Sequence, residues 1–480
     1  MARRILKIDP DDNLVVALSD LESGQTVAGN GERITLKDDV PAKHKVVTEQ
    51  LDTGDKVYMY GVQVGTATRP IREGGLVTTD NIRHSTEAYA CRSEKVAWNP
   101  PDVERWKSRQ FMGYHRSDGQ VGTANYWLVI PLVFCENRNV RMLEQAFMQE
   151  LGYSKRNRYE QYVSELKSLY REGRIEQIKS HDGFSGQDIP AAGTRLFDNV
   201  DGIKFLTHEG GCGGTPEDAE ALCGLLAGYI IHPNVAGATV FSLGCQNAQV
   251  EILKQQLAER NPNLERPVYL FEQQQYGTES RLMSEAIRQT FLGLLQADKQ
   301  KRAPASLDKL TVGLECGGSD GFSGISANPA VGHASDLLVA LGGTTILAEF
   351  PELCGVEQEI VDRCVSETDA DRFVELMDRY SRAAERTGAR LDMNPSAGNI
   401  KDGLITDAIK SAGAAKKGGT SPITDVLDYP EYVRKSGLNL LCTPGNDIES
   451  TTAMAGAGAN IILFTTGMGT PTGNPVTPVV

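Results

Sequence analysis

Residues 313–332, GLECGGSDGFSGISANPAVG, decide how the rest of the chain is read. An apolar run at 310–314 ends in Glu315-Cys316, and glycines then open the backbone. That pattern predicts a buried strand, then a polar loop holding Ser319, Asp320 and Ser323. Asn328-Pro329 predicts a helix with Asn328 as its N-cap and proline at its first position. Strand, loop and helix together put an acid, a thiol and free backbone N–H groups at the carboxyl edge of a sheet, where open α/β folds bind ligands. One such loop is equally well explained as a tight turn. Its recurrence along the chain is what points to a site.

The stretch IKFLTHEGGCGG (203–214) repeats it. His208, Glu209 and Cys212 precede a helix in which Thr215 caps, Pro216 fills the first position and Asp218 completes a capping box. ATVFSLGCQNAQ (238–249) carries Cys245, Gln246 and Asn247 after a third strand, and YWLVIPLVFC (126–135) ends in Cys135. PVYLFEQQQ (267–275) reads as another strand. TTILAEFPELCGVEQ (344–358) sets Glu349, Glu352 and Cys354 after a strand, and LNLLCTPGNDIES (438–450) does the same for Asn446-Asp447. Between them, 394–429 is polar and holds Asn394, Asn399, Lys401, Lys410, Lys416 and Lys417, the densest cationic stretch near these loops.

The fold class is α/β behind a small all-β module. Residues 1–90 alternate short β-rich runs with turn signals every eight to twelve residues. Residues 91–110, with Pro100-Pro101, read as a linker. Two α/β parts with mainly parallel sheets follow, at 111–305 and 306–480, the first interrupted by a charged helical insertion at about 151–180.

Composition narrows the function. Lys and Arg total 49 against 63 Asp and Glu, a net charge of −14, which argues against a nucleic-acid or anionic-membrane binder. Attraction for an anionic substrate must then be local. No apolar run approaches a membrane span, and MARRILKIDPDDN is no secretory signal. Nine dispersed cysteines without C-x-x-C disfavour a disulfide framework and fit a reducing cytoplasm.

Four apolar runs lead to Cys135, Cys212, Cys245 and Cys316, so four thiols are expected to meet His208, Glu209, Glu315 and Asp320 at one sheet edge. Two chemistries suit such a set. Oxygen and nitrogen ligands would hold one divalent metal that stabilises an enediolate, with nearby thiolates favouring iron or manganese. Alternatively, cysteines would hold an iron–sulfur cluster with an open iron, although no ferredoxin-type spacing is present. Nucleotide binding lacks G-x-G-x-x-G after the first strand and G-x-x-x-x-G-K-[ST].

HRSDGQVGTANYW (115–127), THEGGCGG (207–214), HPNVAGATVFSLGCQNAQV (232–250), GLECGGSDGFSGISANP (313–329), EFPELCGVEQ (349–358), NPSAGNIKDG (394–403), GLNLLCTPGNDIEST (437–451) and LFTTGMGTPTGNPVTP (463–478) resemble the altronate/galactarate dehydratase family. Residues 40–77 resemble its SAF β-clip module. The resemblance implies a hydro-lyase that removes water from a sugar acid, altronate to 2-dehydro-3-deoxygluconate in hexuronate catabolism, using Fe2+ or Mn2+. The alternatives are another aldarate or aldonate as substrate, or a non-catalytic sugar-acid binder. A homo-oligomer is expected. The family's histidine in the SAF-like module falls on His44, a ligand or substrate contact, with Asp80 and His84 behind it. Glu315 and Asp320 would stand near the metal, with Cys212, Cys245 and Cys316 as further ligands. His208 and Glu209 would serve as acid and base, and Gln246, Asn247, Ser319, Asn394, Lys401 and Asn446 would contact substrate. Two differences stand out: relatives carry Arg-Asn at Ala124-Asn125, and a histidine pair where this chain has VTTDN (77–81). Family chains also continue beyond the equivalent of Val480.

Overall fold

The computed structural model describes residues 4–29, 31–89, 97–154, 157–183 and 195–480; the first part of the expected linker, 91–96, lies outside them. The strand expected at the opening stretch is Thr311–Gly317, buried from Val312 onward. It is interior to a five-stranded parallel sheet in the order Ile423–Leu427, Gly437–Leu441, Thr344–Leu347, Thr311–Gly317, Ile461–Thr466. Strands covered on both faces read as unbroken apolar runs, which is why these segments lack alternation. The following helix, Ala327–Ala340, starts earlier than expected, with Ser326 at its N-cap position. Asn328 is therefore not a cap. Its side chain donates to the Gly413 carbonyl at 3.0 Å and accepts from the Thr465 hydroxyl at 2.7 Å, stitching helix to sheet.

A second parallel sheet runs Gly202–Phe205, Tyr126–Pro131, Val235–Ser242, Val268–Glu272. Its helix Pro216–Ile231 begins with the expected capping box between Thr215 and Asp218. The charged insertion forms helices Arg158–Arg171 and Ile175–Lys179, neither with a buried residue. A short antiparallel sheet, Val121–Gly122, Gln110–His115 and Ala303–Ser306, ties the start of this part to its end.

The two parallel sheets are separate, and they abut near their amino-terminal ends. Thr123 donates to the Asn460 carbonyl at 3.0 Å, Asn460 to the Val121 carbonyl at 3.1 Å, and Asn234 to the Val476 carbonyl at 2.9 Å. The single shared edge expected for the four cysteines does not exist: Cys316 belongs to one sheet, while Cys135, Cys212 and Cys245 follow strands of the other.

The N-terminal module is a set of small antiparallel sheets. It packs on the C-terminal half: Val57, Met59 and Val64 share one apolar core with Leu314, Phe350 and Ile409. Its loop at 40–45 wedges beside the loop after Thr311–Gly317. Lys43, in the left-handed region at φ 75°, pairs with Asp320 at 2.9 Å. Lys45 is fully buried behind it, donating to the carbonyls of Lys43 at 3.0 Å and Gly403 at 2.5 Å. Burial pushes the Lys45 ammonium down to about 7, against the pull of Asp320. The folded state then binds fewer protons than the unfolded chain between about pH 7 and the ordinary lysine value, so this group makes stability rise with pH across that window. Melting temperatures from pH 6.5 to 9.5 are expected to have a more positive slope with pH in the native chain than in Lys45→Met. Equal slopes would contradict it.

No helix among the described residues is long and apolar enough to cross a membrane.

Candidate active site

A set of buried charged side chains forms beside the strand Thr311–Gly317. Alternation along that strand sends Glu315 and Cys316 to opposite faces. Glu315 is fully buried; its carboxyl faces Glu349 and the Ser450 hydroxyl, yet neither oxygen makes a hydrogen bond of good geometry among the described residues. Glu349 follows the adjacent strand and Asp447 opens the helix Asp447–Gly456. One carboxylate oxygen from each of Glu315, Glu349 and Asp447 lies within 4.8 Å of the others. Gly317 permits this approach, because a Cβ there would stand 2.1 Å from an Asp447 oxygen. Glu349 sits at φ 64°, an uncommon conformation for a side-chain-bearing residue, held by its N–H donating to the Thr443 hydroxyl at 2.9 Å.

Two lysines answer the acids. Lys417, 1% exposed, lies 3.3 Å from Glu349, 3.7 Å from Glu352 and 3.1 Å from the Cys316 sulfur. Lys410 lies 2.9 Å from Glu352 and donates to the Asn394 side-chain oxygen Oδ1 at 2.9 Å. Burial pushes the Glu315 carboxyl up to about 8 despite Lys417, and burial with Glu352 and Glu315 pushes Glu349 well up. Burial also opposes charge on Glu352, but Lys410 and Lys417 outweigh it and hold that carboxyl below its ordinary value. Burial alone would discharge Lys417; the surrounding Cys316 and glutamates outweigh it and keep the ammonium charged. Four carboxylates thus face two ammoniums. Full ionisation leaves a surplus equal to the charge of one divalent cation, and three convergent oxygens suit iron(II), manganese or magnesium.

Asp320 and Ser319 stand at the rim. Asp320 accepts from the N–H groups of Phe322 and Ser323, both at 3.0 Å, and pairs with Lys43, so it braces its loop and is not a free acid. Burial would raise its carboxyl, but the Lys43 hydrogen bond and loop amides hold it low. Ser319 donates to Cys316 at 3.5 Å. His44, half-buried, adjoins Lys43, and its Nδ1 lies 3.2 Å from the Ala42 carbonyl. Asn394 has a buried amide nitrogen with no acceptor among the described residues. Lys401 is exposed, and Asn446 caps its helix by accepting from the Ile448 N–H at 3.1 Å. Asp80 is exposed and belongs to neither cluster of metal-type ligands among the described residues.

The remaining expected residues sit on the other sheet. His208 Nε2 donates to the Pro131 carbonyl at 2.9 Å and Nδ1 accepts from the Gly210 N–H at 3.2 Å, so the imidazole is pinned by backbone rather than presented as an acid or base. Gln246 is likewise spent within its own loop, on the Gly244 N–H, the Ser242 hydroxyl and the Ala248 carbonyl. Glu209 and Asn247 are exposed. Cys135, Cys212 and Cys245 are exposed thiols on loops laced by backbone bonds: Phe134 to Gly210 at 3.0 Å, Asn247 to Cys212 at 3.2 Å and Ala248 to Gly211 at 3.1 Å. The Cys135 thiol is raised by the slight desolvation its loop imposes, and Cys212 and Cys245 are near enough to raise it further. Among the described residues, no hydrogen bond or ion pair joins this trio to the carboxylate site.

Sequence reading passed over Glu349, Glu352, Asp447, Lys410 and Lys417 as site members. Each lies in a stretch read as strand-then-loop or as cationic, so the signal was there. What was missing is the strand order, which alone makes 344–347 the neighbour of 311–317.

A SAF-like β module packed on a parallel α/β domain, with buried acids and lysines at the strand ends, defines a class, and the comparisons agree on it. Three family models match: the altronate/galactarate dehydratase SAF domain at 3–85, the D-galactarate dehydratase/altronate hydrolase second domain at 113–298, and the D-galactarate/altronate dehydratase C-terminal domain at 307–480. The altronate dehydratase of Bacillus subtilis (strain 168) is 33% identical across 99% of this chain and 86% of its own. That of Escherichia coli (strain K12) is 32% identical, over 99% and 86%. The E. coli galactarate dehydratase (L-threo-forming) is 27% identical, over 99% and 84%. The chain belongs to the altronate/galactarate dehydratase family, and it is a hydro-lyase of the sugar-acid dehydratase type.

Proposed function

We propose that this enzyme dehydrates D-altronate to 2-dehydro-3-deoxy-D-gluconate, with Fe2+ or Mn2+ held by Glu315, Glu349 and Asp447. The observation that carries the cation assignment is the convergence of Glu315, Glu349 and Asp447, one oxygen of each within 4.8 Å of the others: carboxylates this close, two of them buried, are costly unless a cation or a proton is shared among them. The substrate assignment draws on the two relatives named altronate dehydratase.

A divalent cation there would polarise the substrate carboxylate and stabilise the negative charge that develops as the adjacent proton leaves. The chain's own groups supply the rest. Lys417 is a fixed positive charge beside Glu349, too deep to leave and too strongly paired to accept a proton. Lys410 is less deeply set; burial opposes its charge, but Glu352 outweighs it and keeps it protonated, fit to donate to the departing 3-hydroxyl. Asn394 Nδ2, lacking an acceptor, offers a donor to a substrate oxygen. Loss of the C2 proton to solvent, and of the C3 hydroxyl with the proton that Lys410 donates, gives an enol and water; a proton from solvent restores Lys410, and the enol tautomerises to the 2-keto acid.

One observation favours a second reading of the cofactor. Three exposed thiols on neighbouring loops, each preceding a helix, would suit an iron–sulfur cluster with one open iron. Turnover of altronate, galactarate and mannonate by anaerobic Fe2+-loaded protein tests the function. A 2-keto-3-deoxy product from altronate at the highest kcat/KM is expected. Product from galactarate alone would move the substrate assignment, and no product from any would leave a non-catalytic binder.

A further inference from the structure

A second cluster of ligand-type side chains lies between the N-terminal module and the C-terminal half, apart from the carboxylates proposed to hold the catalytic cation. We propose that His84, Cys354 and Asp407 bind a zinc-class divalent cation that clamps the N-terminal module in place. One ligand atom from each of the three lies within 4.8 Å of the others. The donors are nitrogen, sulfur and oxygen, the mixture that tetrahedral zinc sites use, with the fourth position left to water.

Asp407 supplies the independent sign of a missing partner. It is 1% exposed, and both its carboxylate oxygens are buried; the Cys354 thiol lies beside them, but among the described residues neither oxygen makes a hydrogen bond of good geometry. It begins the helix Asp407–Ala415, whose cap is made by Thr406, so it is not needed as a cap. Lys410, one turn on, gives its ammonium to Glu352 and Asn394 instead. An isolated carboxylate in such a place is expensive, and a cation removes the expense.

The three ligands come from two modules. His84 follows the strand Ile82–Arg83 of the N-terminal module, whereas Cys354 and Asp407 belong to the C-terminal half. The surfaces already touch there: Thr406 donates to the Val64 carbonyl at 2.8 Å, and a Cβ on Gly355 would meet the Thr86 side chain at 2.8 Å. His84 Nδ1 accepts from the Ala408 N–H at 3.3 Å, a long bond to a first-turn amide, which a cation on that nitrogen would replace. Closing the triad therefore fixes the loop that carries Lys43 and Lys45 only through the module as a whole, which makes its effect one of stability.

Cobalt(II) tests this directly, because a thiolate ligand gives a sulfur-to-cobalt charge-transfer band that an all-oxygen site cannot. Titration of the full chain with Co2+ is expected to develop that band, and Zn2+ to displace it and raise the melting temperature. Cys354→Ser and Asp407→Asn should each remove one equivalent of the absorbing cobalt. Glu315→Gln should leave it intact, so loss of the catalytic assignment would not touch this one. His84→Gln, which keeps a polar acceptor at this half-buried position, should weaken Co2+ binding at least tenfold. Full absorbance in Cys354→Ser, or undiminished Co2+ affinity in both His84→Gln and Asp407→Asn, would overturn the proposal.

Discussion

Lys417→Met is expected to destabilise the protein by about 3–5 kcal/mol, the usual cost of removing one partner from a buried ion pair. Lys417 is the only cation that touches Glu349 in the structure's described residues, and it also faces Glu352 and Cys316. Without it, those carboxylates must take up protons or remain charged in a medium that solvates charge poorly. Lys410→Met should cost less, because Lys410 lies nearer solvent and its loss leaves Glu352 still facing Lys417. Urea unfolding of both variants, with chelator present, measures the difference. Equal losses, or a loss below about 1 kcal/mol for Lys417→Met, would mean that the carboxylates are already neutral.

Glu315→Gln should separate stability from activity. The amide matches the carboxyl in shape and cannot ionise beside Glu349, so metal-free stability should hold or rise. Turnover with Fe2+ should fall at least 100-fold, since a ligand is lost together with the charge that attracts the cation. Outer-shell changes around metals already cost about 10- to 100-fold. A variant that loses activity and stability together would make Glu315 a structural acid instead.

Much of the fold was legible. The apolar runs at 311–317, 344–347 and 437–441 read as buried strands, and Thr215-Pro216-Glu217-Asp218 starts its helix as the capping pattern demands. Glu315 was legible as a strand-end acid. The site as a whole was not, because sequence shows that strands end in polar loops but not which strands are neighbours. Two sheets that abut near their amino-terminal ends look, in sequence, like one sheet with a common edge. That is why Cys212 and Cys245 were grouped with Cys316. His208 and Gln246 misled for a different reason: polar side chains in glycine-rich loops are as readily consumed by the loop's own backbone as offered to a ligand, as the bonds to Pro131, Gly210 and Gly244 show. Asp320 was read as an acid near the metal and instead joins its loop to Lys43, a contact between modules some 280 residues apart that spacing cannot reveal.

Iron and acid-labile sulfide, measured together on protein purified and loaded without oxygen, test the central claim most directly. If Glu315, Glu349 and Asp447 hold the catalytic cation, the chain with Zn2+ on His84, Cys354 and Asp407 binds a single iron without sulfide, Glu315→Gln loses it and Cys212→Ser keeps it. Iron accompanied by stoichiometric sulfide, lost in Cys212→Ser and retained in Glu315→Gln, would contradict the account and move the chemistry to the three thiols of the other sheet.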